Sequence, residues 1–272
     1  MSQFLFRFRI PLFSAIFFFL GLDSSHAGGV GREADFLAGN TQECAKCDLS
    51  EANFKRLKLS GIDLSGAVLT GANFHRADLS GANLEGANLR NANFNLADLR
   101  KANLKGADLS QALLYKADLS AADLTGANLT DARLQKSRLS RANLASAVLD
   151  KAIAYESRLS GVNLKGASLV EVNLANGNLR GADLSRAKIN RTRLARANLG
   201  RAKLVEAEIR STDLYFANLS RADLTGSKFV GVRLEGAGLS DTKIDGATVE
   251  RCLLPGGQFV EQSTLAKALN RE

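Results

Sequence analysis

The 272-residue chain has no tryptophan, two histidines and three cysteines. His26 falls in an apolar leader, which leaves His75 as the one histidine beyond it. Any Ser/His/Asp arrangement would have to use His75, which sits beside Arg76 at a place the repeat described below turns to solvent. No P-loop or Rossmann glycine fingerprint occurs, so no phosphate cradle is spelled out. A zinc site would need a second pair of ligands beside Cys44 and Cys47, and the sequence offers none nearby. An active site needs a pocket with convergent functional groups. These absences argue against an enzyme, a cofactor, a metal centre and a small-molecule substrate.

Residues 1–27 differ from the rest. Arg7 and Arg9 precede an apolar run from Ile10 to Leu22, and Ser25-His26-Ala27 offers a small-x-small cleavage site, the layout of a secretory signal peptide. Seven of the fourteen phenylalanines lie in the first nineteen residues, so whole-chain composition misleads about the remainder. The run is too short for a comfortable membrane span. An uncleaved membrane anchor is the alternative. The reading is an exported protein, with the periplasm first and the thylakoid lumen or the extracellular space as alternatives.

From Ala72 to Gln111 the text reads ANFHR-ADLSG-ANLEG-ANLRN-ANFNL-ADLRK-ANLKG-ADLSQ. Every fifth residue is Leu or Phe, and the residue two before it is Ala. A helix turns about 100° per residue, so a five-residue step would smear the apolar column around all its faces. A flat strand fails because Ala72 and Ala77 would point to opposite faces. The pattern fits a short in-out-in strand followed by a corner, with Ala and the central Leu or Phe inside. Gly81, Gly86, Gly106 and Gly126 end their units, where a corner favours a residue tolerant of positive φ. Phe54, Phe74 and Phe94 are centres spaced by twenty, and Tyr115, Tyr155 and Tyr215 follow centres spaced by forty and sixty. Four units to a coil would stack each set on one side of a solenoid.

This pattern resembles the pentapeptide-repeat family, whose unit is A(D/N)LXX. The resemblance implies an all-β, right-handed, four-sided parallel β-helix with the small residue and the Leu or Phe packed inside. Centres run from Leu49 to Phe259, 43 units or about 10.75 coils. Departures are few: Ala154 is a small centre, Gly177 and Gly257 occupy the small position, and Leu57 and Ile62 are large there. The organisation expected is a leader at 1–27, an N-terminal cap at 28–46, the repeat tube at 47–261 and a C-terminal cap, with a short helix, at 262–272. Phe36 and Leu37 are expected to cover the first coil. Cys44 and Cys47 stand where cap meets coil, and an exported chain favours a local disulfide there. Inert thiols and a metal or redox pair are the other readings. Cys252 is expected to be a buried free thiol.

Removing Arg7, Arg9 and Asp23 with the leader leaves 34 basic and 27 acidic residues. The four sides are lettered by their first centres: Leu49 for A, Phe54 for B, Leu59 for C and Leu64 for D. Side B carries a net +6 and side C +4, against −1 for A and −2 for D. Side B also sets apolar and aromatic residues outward, namely Leu113, Tyr115, Ile153, Tyr155, Tyr215 and Phe216, among the cations Lys116, Arg133, Lys136, Arg193 and Arg196. This mixture resembles a contact surface. The expectation is a non-catalytic interaction or scaffold protein acting through side B, on a protein partner or a second copy of itself. Binding of anionic polymer or lipid head groups by sides B and C is the alternative. Nucleic acid fits poorly with export. Some pentapeptide proteins guard DNA gyrase by imitating DNA, and that role needs an acidic surface and a cytosolic setting, which this chain does not match.

Overall fold

A computed structural model describes residues 32–37 and 39–269. The leader, the start of the N-terminal cap and the last three residues lie outside the described residues. The molecule is a quadrilateral parallel β-helix with a cap at each end. Residues twenty apart pair as parallel bridges, from Glu43 with Asp63 through Arg233 with Leu253. One ladder climbs from Asp48 to Thr248 in eleven levels. At about 4.8 Å per level the shaft is about 48 Å long.

The unit centred on Leu104 shows why five residues close a corner. The Asn103 N–H donates to Ala82 O of the coil below at 2.9 Å, while Leu104 and Gly106 donate to Asp123 O and Thr125 O of the coil above at 2.7 and 2.9 Å. Ala102 donates to the preceding centre, Leu99 O, at 3.1 Å. Only the Lys105 N–H is left over, and the Asn103 side chain accepts it at 3.2 Å. Every backbone donor of this unit thus has a partner, and the Asn before the centre supplies the one the ladder cannot. Residues in these places also join one another between coils, as Asn103 Nδ2 does to Asn83 Oδ1 at 3.0 Å.

The corner itself requires a left-handed residue. All 42 residues at the last place of a unit, from Lys46 to Arg251, have φ between 46° and 71°, and 28 of them are not glycine. The interior is filled by the centres and the small residues, nearly all of them fully buried. Phe54, Phe74 and Phe94 stack inside at 4.9 and 4.8 Å, and Phe36 of α1 (Arg32–Leu37) meets Phe54 edge-on at 6.2 Å. Phe36 therefore lids the first coil as expected, while the side chain of Leu37 lies outside the described residues. Where Ser or Thr replaces the small Ala, the hydroxyl bonds inward to backbone. Ser137 Oγ donates to Leu134 O at 2.7 Å, and Ser227 Oγ to Leu224 O at 2.6 Å.

On side A the upper levels extend into true strands: β1 (Ser168–Val170), β2 (Lys188–Asn190), β3 (Glu208–Arg210), β4 (Lys228–Val230) and β5 (Thr248–Leu253). They pair in parallel and in order. A sixth strand, β6 (Phe259–Thr264), then returns antiparallel along β5, with Leu253 opposite Phe259. This corrects the expected end of the tube. Phe259 is no centre but is 57% exposed, and the last inward centre is Leu254. The reason is the Pro255-Gly256-Gly257 segment. Gly257 takes φ 81°, its N–H returns to Leu254 O at 2.9 Å, and the chain reverses instead of turning a fifth-residue corner. The β6 strand covers the edge of β5, and α2 (Leu265–Ala268) follows, capped by the Thr264 side chain. Leu265 is fully buried and donates its N–H to Ala247 O at 2.8 Å, which plugs the top of the core. The bottom also differs by one unit. Cys44 is fully buried, bonds to Asp63 O at 2.8 Å and is followed by Lys46 at φ 62°, so the first coil begins inside the expected cap.

Candidate interaction surface

Among the described residues the core holds aliphatic, aromatic and hydroxyl packing with one disulfide and one thiol, and the charged and amide groups are those that the corners turn outward. On side B, Leu113, Arg133 and Ile153 are consecutive rungs of one ladder, and Arg193 lies two rungs above Ile153. The residues that follow the centres form a second column: Tyr115, Gln135, Tyr155, Ala175, Ala195 and Tyr215. Tyr115 and Tyr155 therefore stand two levels apart, about 10 Å, and Tyr215 three levels higher. The tyrosines share a column without touching. Tyr115 and Tyr215 are engaged locally instead. Lys116 Nζ lies 5.3 Å from the Tyr115 ring centre, and the Arg233 guanidinium lies 4.0 Å over Tyr215. Phe216 meets Tyr215 edge-on at 4.5 Å and is 56% exposed. Its ring lies over the next coil at Gly236, where an added Cβ would come within 2.9 Å of the ring. Tyr115 is exposed, whereas Leu113, Ile153, Tyr155 and Tyr215 are half-buried along the flat side.

Lys136 pairs with Glu156 at 3.4 Å. Arg133, Arg193 and Arg196 are exposed and form no ion pair among the described residues. Summing charge by side hides how the cations lie along the axis. Between the levels of Leu134 and Leu194, sides B and C together hold nine basic residues and one acidic residue, Glu156. Side C supplies Arg138, Arg141, Arg158, Arg180 and Arg201, which the side-by-side sums counted without singling out. A sum by level in place of a sum by side would have found them.

His75 is half-buried among Lys55, Arg56 and Arg76. Burial and then these three cations push its pKa below the ordinary imidazole value. The charges that act on it are cations, which disfavour its protonated form. Several carboxylates before the centres are held below their ordinary range. For Asp98 the main cause is the hydrogen bond from the Arg100 guanidinium. For Asp123 and Asp223 burial pulls upward, and the hydroxyl and N–H of the threonine two residues on outweigh it. Among the described residues no His/Cys/Asp/Glu group could hold a metal ion, and no helix is long and apolar enough to cross a membrane.

Cys44 and Cys47 form a disulfide, with Cα atoms 5.4 Å apart, that ties the first inward centre to the next small position. Cys252 is a free, fully buried thiol whose Sγ lies 3.2 Å from Glu250 O, and burial raises its pKa.

This geometry defines a parallel β-solenoid of five-residue corners. The model of the family of pentapeptide repeats matches in eight overlapping copies spanning residues 47–254. The chain belongs to the pentapeptide-repeat family. Among solved structures it is similar to HetL of Nostoc sp. strain PCC 7120, a pentapeptide repeat protein involved in heterocyst differentiation regulation. The identity is 29% over 86% of this chain and 100% of that one, with a TM-score of 0.60. It is also similar to QnrB1, a plasmid-mediated fluoroquinolone resistance protein, at 17% identity over 76% and 93% of the two chains, TM-score 0.38. A pentapeptide repeat protein of the Arabidopsis thaliana thylakoid lumen matches at 31% identity over 40% and 74%, TM-score 0.26. No curated protein sequence matches the chain.

Proposed function

We propose that this chain is a non-catalytic interaction protein of an exported compartment, the periplasm in the first instance, and that side B is its contact side. The observation that carries the reading is the division of labour in the shaft. Leucine, alanine and phenylalanine fill the inside, and aromatic groups mixed with cations lie along one outer side. Tyr115 and Phe216 offer exposed ring surface, and Arg133, Arg193 and Arg196, which form no ion pair among the described residues, lie on the same side, the composition favoured at the centres of protein contacts. The Cys44–Cys47 disulfide supports the compartment, because such bonds persist outside the reducing cytosol. The apolar leader supports it from the sequence.

The test is capture from the exported fraction with the chain lacking residues 1–27 as bait, side by side with a Tyr115→Ser/Tyr155→Ser variant of unchanged melting temperature. A partner, or a second copy, that is retained by the parent and lost from the variant supports the reading. Equal retention by both removes side B from it, and turnover of a hydrolytic substrate by the purified protein contradicts the non-catalytic part.

A further inference from the structure

We propose that the corner between sides B and C, from the level of Leu134 to that of Leu194, is a binding site for an extended anionic glycan. The inference rests on the exterior being the working surface and gives that surface a ligand class of its own. Side B contributes Arg133, Lys136, Arg193 and Arg196, and side C contributes Arg138, Arg141, Arg158, Arg180 and Arg201, all of them exposed. Two of the nine are neutralised within the fold, Lys136 by Glu156 at 3.4 Å and Arg138 by Asp118 at 3.6 Å. The remaining seven have no carboxylate partner among the described residues. All seven are arginine, whose planar fork matches carboxylate, sulfate or phosphate with two hydrogen bonds at once. So many like charges on four adjacent coils repel one another, and an anionic ligand relieves that repulsion.

Three further features choose among polyanions. Between the cations lie the neutral groups of Gln135 and Asn176 and the Nδ2 donors of Asn173, Asn178 and Asn198, whose Oδ1 atoms accept from backbone, suited to hydroxyls as well as to charge. Tyr155 stands in the same surface, half-buried, and the residues at its place on the next two levels are the small Ala175 and Ala195. An aromatic face beside amides and guanidiniums suits a sugar ring, whose faces are apolar and whose edge is polar. The levels advance by about 4.8 Å, close to the rise of one sugar in an extended glycan, so each coil can meet one residue of the ligand. The site is also finite. The levels directly below and above carry no cation excess, Lys116 standing against Asp118 below and Asp213 against Arg221 above, so a long polymer is held over these four levels and not beyond them. A planar bilayer can rest on one side of a square shaft but not on two sides meeting at a corner. Nucleic acid offers the same charge, but it belongs to the reducing compartments where the Cys44–Cys47 disulfide does not persist.

The experiment measures binding of the folded chain to polygalacturonate and to heparin, which separate carboxylate from sulfate recognition. Vesicles containing phosphatidylglycerol and a DNA oligonucleotide are run at equal charge. The expected result is salt-sensitive binding to at least one glycan that is weakened about tenfold or more by Arg193→Glu/Arg196→Glu and by Arg158→Glu/Arg180→Glu. Arg221→Glu, which disrupts the pair with Asp241 above the site, leaves it unchanged. Tyr155→Ala weakens glycan binding without altering its salt dependence. The proposal is overturned if neither glycan binds, if vesicles or DNA bind more tightly, if the reversals have no effect, or if Tyr155→Ala is silent. Should it fall while capture of a protein is still lost on Tyr115→Ser alone, the glycan is lost and the protein-contact reading stands.

Discussion

A left-handed backbone is costly for any residue with a Cβ, yet two thirds of the corners here place one in it. Leu96 is a clear case: φ 62°, an exposed side chain, and an N–H donated to Tyr115 O at 2.9 Å that any residue could supply. Leu96→Gly should stabilise the fold by about 0.5–1 kcal/mol, and Gly81→Ala should destabilise it by a similar amount, both read from urea midpoints. Gly81 has φ 66° and nothing within 4 Å of an added Cβ, so its penalty is one of backbone alone. His75 gives the second residue-level prediction. Its pKa is lowered in the folded chain, so below the ordinary value of 6.5 the unfolded chain binds the proton more readily. Its contribution is intact above that value and is lost as the pH falls towards the folded value. Melting temperatures taken from pH 7.5 down to pH 5 should therefore fall, and His75→Gln should flatten the slope. The lowered carboxylates act in the same direction only below about pH 4, outside that window.

At the scale of the element, the five-residue corner was legible because its two inward places carry so restricted a choice of side chain. The Phe54, Phe74 and Phe94 spacing gave four units to a coil, and the rings do stack. The ends were harder to read. Cys44 is an inward centre that does not look like one, because a cysteine engaged with Cys47 replaces the leucine. Phe259 looks like a centre and is not, because Pro255 and Gly257 favour a reversal that the five-residue spacing does not encode. Nor did the alternation reveal that side A would lengthen into β1 to β5. The reversal matters for stability. A repeat shaft ends in an open core, and β6 with α2 closes it. Leu265→Ser places an uncompensated hydroxyl in that plug and should cost about 2–4 kcal/mol, with the upper coils opening before the lower ones. Limited proteolysis should then cut first between residues 240 and 269. Initial cleavage in the middle of the shaft would mean that the plug does not hold the end.

For the whole molecule, the net charge shows in the sequence when summed by side, and its concentration into four levels shows only when it is summed by level as well. That distribution depends on which residues share a height, which the twenty-residue pairing fixes. The exterior is thus a surface with two coordinates, side and level, and any recognition by it reads both. The core claim beneath this is that one five-residue corner repeats without interruption from Cys44 to Leu254. Residue-resolved amide hydrogen exchange tests it most directly. Amides at the centres and at the left-handed corner positions donate to the coil above, and those just before the centres donate to the coil below. The amides just after the centres are held mainly by a surface Asn or Asp. Protection should therefore dip once every five residues through the middle of the shaft, at positions such as Lys105 and Thr125. Protection with a period near 3.6, or none across residues 80–200, would contradict the account.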